Sequence, residues 1–509
     1  MGYVKIGKYD ATLRIPQFKG LMQYGDGIDS DPRFAKSARN METKAGVLQP
    51  SAKCELLEPT LPKPIETLMY LYRRWHTGPE EEKTLFVAAS DGKLYYMTMG
   101  SEWTQLTGGP YQSSNWSWVT YEINPDPDAR EASIDVLLIS NADDGMYMIR
   151  GDNLSVTQVP TPKKFGVIER YAERIWGGAI TDDPDMLVYS APYDPTDWKA
   201  RAYGAEETEW GTAGEPEDGA GDVMQPSWDG DSFTALRAFG SQLIAFKRNR
   251  VWRVLGTDPG EFVFKEQYGG GTPYEKTIAV DSERILMLNK NGIVSFDGMT
   301  VAPFYQQYAQ DVWRNMNRAA LNQSAAVLWN HKYYIAVPMG DSKINNTVVI
   351  FDPVDNTWLL RDDVCVESWL WTENDLYFTS STTPGKIWRW REDSWDTGES
   401  TGDSCQWVSQ WNTLSLANVN KNDFTVYLLA EIREQPVRLN ISIQTENKIK
   451  TKQFVLTPEY EETDRKAKVK RVTFKASGRR FRVIIAAPEG TPVWRMVNGI
   501  QVKCEVDPD

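Results

Sequence analysis

Two histidines and four cysteines are all that this 509-residue chain offers for imidazole or thiol chemistry. With only His76 and His331, a His-based metal site or a His-centred catalytic system has almost no raw material. Cys54, Cys365, Cys405 and Cys504 lie far apart and form no CxxC. A disulfide-framed secreted domain would be much denser in Cys, so they read as buried free thiols in a chain made in a reducing compartment. No apolar run reaches 18 residues, so no membrane-spanning helix and no membrane anchor are expected. The opening MGYVKIGKYD is not a signal peptide. Nor is it a myristoylation match, because Ile6 stands where Ser or Thr is required. A soluble, cytoplasmically synthesised protein is the expectation.

Basic charge is scarce and unevenly placed. The net charge is −14. Residues 401–509 carry 17 Lys/Arg against 13 Asp/Glu, whereas residues 1–400 carry 39 against 57. An acidic body is a poor general nucleic-acid binder, because duplex affinity comes largely from Lys/Arg neutralising phosphates. DNA can still pass nearby without being held. The usual catalytic signatures are missing too: no GxxxxGK[ST] loop, no GxGxxG, no HExxH and no GxSxG elbow. No Ser-x-Asp-x-Gly-x-x-Trp box of the sialidase kind recurs. A glycosidase needs two carboxylates flanking the sugar bond, and 70 acidic residues leave such a pair open.

What the chain has in quantity is aromatic residues, 20 Trp, 23 Tyr and 17 Phe, which suit pleated, half-buried surfaces. Seven times an apolar run meets a polar turn and resumes. The clearest cases are VAASDGKLYYM (87–97), LISNADDGMYMI (138–149), AFKRNRVWRV (245–254), MLNKNGIVSF (287–296) and FTSSTTPGKIWRW (378–390). Looser versions centre near residues 184 and 342. Asp-Gly and Asn-Gly favour hairpin turns because they tolerate positive φ. Small antiparallel sheets repeating roughly every 40–65 residues are the signature of a β-propeller. The expected fold is therefore mainly β, a propeller of six or seven blades over 61–400.

An N-terminal segment, 1–60, is expected to precede it, either as a partly helical arm or as an irregular cover for the first blade. Within it, Asp31 or Ser30 with Pro32 signals a short helix around 32–41. An acidic insertion spans 200–232. Its core, 205–231, holds nine acidic residues and no basic one, and reads as a long loop. EF-hand spacing is absent there, so no calcium is expected, nor any other metal or cofactor. One helix is predicted over 305–323, with Tyr308, Val312, Met316 and Leu321 on its apolar stripe. A Gly/Ser/Thr/Asp linker at 392–404 leads into six predicted strands, a β-sandwich-like domain over 401–509.

This order of features resembles the tail nozzle, tail hub or packaged-DNA stabilisation proteins of short-tailed bacteriophages. The resemblance is carried by FKGLMQYGDGIDSDPRFAKSARNMETKAGVLQP (18–50) and RIWGGAITDDPDMLVYSAPYDPTDW (174–198). TALRAFGSQLIAFKRNRVWRV (234–254), NGIVSFDG (291–298), HKYYIAVP with VVIFDPVDNTW (331–358) and DLYFTSSTTPGKIWRW (375–390) also fit, as does the C-terminal stretch 471–506. It implies a non-enzymatic virion protein of the tail, made in the host cytoplasm and assembled as a homo-oligomeric, six-fold ring. That ring would sit beneath portal or head-tail adaptor proteins, help retain packaged DNA and conduct it, without sequence-specific binding, during ejection. On this reading Glu206, Glu207, Glu209, Glu215, Glu217 and Asp218 face the DNA passage, where fixed negative charge repels phosphates. A receptor- or glycan-binding propeller is the alternative expectation, and a carbohydrate-active enzyme a third.

Overall fold

The computed structural model describes residues 7–25, 27–124, 133–199, 219–224, 230–372, 374–458 and 468–507. It is mostly β, and most of it is built from small antiparallel sheets. Six four-stranded sheets and the first four strands of a nine-stranded sheet follow one another as units along the chain. Numbered by chain order, they span 67–105, 117–159, 167–224, 235–268, 279–303, 325–362 and 366–389. The seventh unit contributes only three strands of its own. Its fourth is Glu55–Leu57, from the opposite end of the chain, paired through Ile387↔Leu57 and Arg389↔Glu55.

All seven predicted turns fall in one structural place, between the second and third strand of a unit. The 90–93 hairpin illustrates why. Asp91 and Gly92 take φ of 52° and 68°, matching the twist of the flanking strands, which pair at Ser90↔Lys93. A Cβ on Gly92 would also meet the Tyr111 carbonyl oxygen at 2.7 Å.

Neighbouring units are glued by apolar clusters. One joins the first unit to the second through Leu71, Val87, Leu137 and Ile149. Others join second to third, third to fourth and fourth to fifth. The largest cluster takes in the fifth, sixth and seventh units. Leu61, Ile65, Leu68, Phe86, Leu370 and Ile387 then bring the seventh back against the first. Each such side chain removed from water contributes about 1.5–3 kcal/mol.

The N-terminal residues are strands woven into this frame. Ala35–Arg39 lies between Thr357–Asp362 of the sixth unit and Cys405–Ser409. The sheet continues through Phe481–Ala487, Val437–Thr445 and Ile449–Leu456. A second sheet combines Tyr9–Ile15, Met41–Lys44 and Val47–Pro50 with Trp494–Asp507, Asn420–Ile432 and Lys468–Gly478. All six strands predicted beyond residue 420 are present. Inward residues of both sheets, among them Phe424, Val426, Ile441 and Phe481, share the core that also holds Trp358 and Trp407 of the sixth unit's sheet. Phe18 meets Trp407 edge-on at 5.1 Å.

Four local expectations are corrected. A strand stands where Pro32 was to open a helix: Asp31 directs its carboxylate to the Arg33 N–H and guanidinium, and Ala35 donates its N–H to Gly20 O. The 305–323 helix is broken. Only Gln310–Asn315 is α-helical, between two 3₁₀ turns, because Met316 is extended and bridges to Met339 while Asn317 caps the next turn. Val312, Met316 and Leu321 are nevertheless buried, so the apolar stripe finds its core. Within the acidic stretch, Gly221–Met224 is a strand paired with Met186–Tyr189. The 392–404 segment is anchored: Asp393 caps Ser394–Thr397, and Trp395 is buried. No described helix is long and apolar enough to cross a membrane.

Candidate functional site: the cavity between the units

Among the described residues, the first strands of the seven units each have a sheet neighbour on one side only. All seven contribute to the lining of one cavity of about 930 Å³. Their unpaired edges leave backbone N–H and C=O groups without ladder partners, so the wall is polar even where its side chains are apolar. Side chains stitch the wall together between units. Arg74 bonds Asp135 and Glu122 across the first two. Ser117 Oγ accepts from the Ile168 N–H at 3.0 Å, joining the second and third. Trp369 Nε1 donates to Ala325 O at 3.1 Å, joining the seventh and sixth.

A girdle of ionisable groups follows the same wall. Glu169 of the third unit stands 4.0 Å from the Arg237 guanidinium of the fourth. Burial pushes the Glu169 carboxyl up to about 7, against the opposing pull of Arg237 and of the Arg170 N–H. Glu275, leading into the fifth unit, is also raised by burial, with Lys276 and Arg237 pulling it down. Glu367 of the seventh unit is raised by burial and by the neighbouring Glu66 carboxylate, with Lys276 opposing. Acids and bases thus mix around the wall, where Arg74, Arg170, Arg237 and Lys276 stand among Glu66, Asp135, Glu169 and Glu275.

Chemically Glu169 can exchange a proton near neutrality, and the wall can bind polar groups. No His or Cys among the described residues lines the cavity. Among the described residues no three metal-ligating side chains come together. The four thiols are free, and burial pushes Cys405 up to about 12 and Cys504 up to about 11, which leaves them poor nucleophiles.

A second charged cluster is structural. Lys332 Nζ lies 3.0 Å from Glu392, Tyr334 OH donates to the same carboxylate, and Arg361 stacks on Trp390 at 4.2 Å. Deep burial beside these groups raises Glu42 to about 8, and the cluster welds the sixth unit to the strands before residue 57.

The sequence pattern pointed to a site elsewhere. Glu206, Glu207, Glu209, Glu215, Glu217 and Asp218 all lie outside the described residues. It did not reveal Glu169, Arg237, Glu275, Lys276 and Glu367. The available signal was a charged residue inside an otherwise strand-like run opening a repeat, as in VIERY (167–171), ALRAF (235–239) and VESWLW (366–371).

No family model matches the chain, and no curated protein does. Solved structures resemble it only distantly. The dihydro-heme d1 dehydrogenase NirN in complex with DHE aligns at 12% identity and a TM-score of 0.36, over 62% of this chain and 61% of its own. The N-terminal domain of Nup159 aligns at 12% identity and TM-score 0.32, over 67% of this chain and 98% of that one. The Chaetomium thermophilum Nup170 NTD–Nup53 complex gives 8% identity and TM-score 0.37, over 74% and 64%. The alignment thus spans less than two thirds of the NirN chain's length. None of these names is that of a phage tail protein, and at such TM-scores none carries a functional argument.

Proposed function

We propose that the seven units are the blades of a closed β-propeller, and that the protein is a structural, ring-forming component of a short-tailed phage tail, of the nozzle or hub kind. In this reading it resides in the virion tail, docks to portal or adaptor and other tail proteins, and acts without catalysis. The observation that supports it best is the nine-stranded sheet running unbroken from the sixth unit into the C-terminal strands. A shared sheet and a shared core leave no hinge between the two parts, as a stiff wall element requires. The resemblance of segments 18–50, 174–198 and 471–506 supplies the tail assignment. Electron-microscope images of the purified full-length protein test it: rings around an open bore are expected, and isolated particles at every concentration would refute it.

A receptor- or glycan-binding role is the second reading. Trp371, 57% exposed at the end of a cavity-lining strand, favours it as a stacking platform. Glycan-array binding lost in Trp371→Ala, by a protein that forms no ring, would establish it instead.

A further inference from the structure

The two ends of the propeller units differ in what they expose. Antiparallel order places the turn between first and second strands, and that between third and fourth, at one end. Trp75, Tyr193, Met299 and Val354 project from turns at that end, and Trp371 from the end of a strand there, each 57% to 85% exposed. The N–H of Tyr193 bonds Glu173 O, tying two of these turns together. From the turns at the opposite end, among the described residues, only Ile344 is a comparably large exposed apolar group. Glu81, Asp194, Asp258 and Glu261 are exposed at the same end as the aromatics, and none has an ion-pair partner among the described residues. Aromatic groups among unpaired carboxylates mark a docking surface for a basic partner.

The chain itself carries such a partner surface. In the C-terminal strands the Arg480 and Arg482 guanidiniums both lie on the Trp411 ring, 4.9 and 4.7 Å from its centre. Arg482 Nε is held by Gln444 Oε1 at 3.0 Å. Burial, together with the like charge of Arg480, pulls the Arg482 pKa below its ordinary value. The nearby carboxylates are already engaged: against burial, the N–H groups it accepts and the Arg480 charge hold the Glu446 carboxyl below its ordinary range. Glu446 accepts the backbone N–H groups of Arg479 and Arg480, and Asp29 accepts from Thr413. Neither guanidinium makes a salt bridge within 4.0 Å among the described residues, so the stacked pair can take a further carboxylate.

We propose that the aromatic, acidic turn end of one copy docks on the Arg480–Trp411–Arg482 clamp of a second copy. The occupant is identified by charge: residues 401–509 hold 17 basic against 13 acidic groups, and residues 1–400 hold 39 against 57. The two surfaces are different patches of one chain, so the contact is head-to-tail and propagates until a ring closes. This rests on the ring-forming reading above and names its lateral contact.

The test is the mass distribution of the full-length protein by mass photometry and light scattering at low and high salt. Three forms are compared: wild type, Arg480→Glu/Arg482→Glu and Trp75→Ser/Tyr193→Ser, with circular dichroism confirming an unchanged fold. Wild-type assembly should weaken as salt rises, and each variant should weaken it at least about tenfold, since each removes a charge pair or an aromatic anchor. Assemblies unchanged in both variants would overturn this contact while leaving the ring reading intact. A wild type that stays monomeric up to about 50 μM, an affinity weaker than about −6 kcal/mol, would overturn both. Short duplex DNA bound by wild type and lost in Arg480→Glu/Arg482→Glu, with assembly unaffected, would reassign the clamp to phosphates and also overturn the contact.

Discussion

Glu169→Gln is the substitution whose effect can be worked out furthest. The carboxyl titrates near 7 in the folded protein against 4.5 ordinarily, because burial disfavours its charge more than Arg237 at 4.0 Å restores it. A raised carboxyl pKa means the folded state holds the proton more tightly than the unfolded chain. Stability from this group is therefore complete below about pH 4.5 and is lost as pH rises to about 7. At about 1.36 kcal/mol for each tenfold difference in proton affinity, the full loss would be about 3 kcal/mol. The side chain keeps 21% exposure, so solvent screens part of this, and about 1–3 kcal/mol is expected. Glutamine keeps the oxygen that accepts the Arg170 N–H at 3.1 Å and cannot ionise. Denaturant unfolding at pH 5 and pH 8 should find the variant equal to wild type at pH 5 and more stable at pH 8. A variant less stable than wild type at pH 8 would refute this, showing that the Glu169–Arg237 ion pair outweighs its desolvation.

Two further substitutions probe closure and the C-terminal strands. Ile387, 3% exposed, pairs with Leu57 and packs in the cluster between the last and first units. Ile387→Ala should cost about 2–5 kcal/mol and lower the whole tryptophan-fluorescence unfolding transition. A change confined to a small separate phase would show that the seventh and first units are not mechanically joined. Lys421 is fully buried and donates to the carbonyls of Val419, Arg479 and Leu416. Lys421→Met strands those acceptors and should cost about 2–4 kcal/mol in chemical unfolding, and an unchanged midpoint would refute the assignment.

How much could be read from the chain follows from where the determinants lie. Hairpins such as Asp91-Gly92 were legible because turn chemistry and strand alternation act within ten residues. The six C-terminal strands were legible for the same reason: Arg471 to Ser477 alternates exposed and buried residue by residue. The strand Ala35–Arg39 was not, because its conformation is dictated by partners over 300 residues away, Leu360 and Gln406. Met316 breaks its helix for a similar reason, a bridge to Met339 that no local pattern announces. The girdle of Glu169, Arg237 and Glu275 left only a faint local mark, a charge inside a strand-like run, since each member sits in a different unit and their grouping arises only when the strands converge.

The strand Ala35–Arg39 has a practical consequence for anyone trimming this protein. It is sandwiched between Thr357–Asp362 on one flank and Cys405–Ser409 on the other. Severing the chain near residue 401 would not release a tidy smaller molecule; it would bare a hydrogen-bonding flank that attracts other strands, and aggregation would follow. Removing the first 57 residues would do comparable harm twice over, opening the seventh unit and baring the sixth. For this polypeptide the smallest foldable piece is close to the whole.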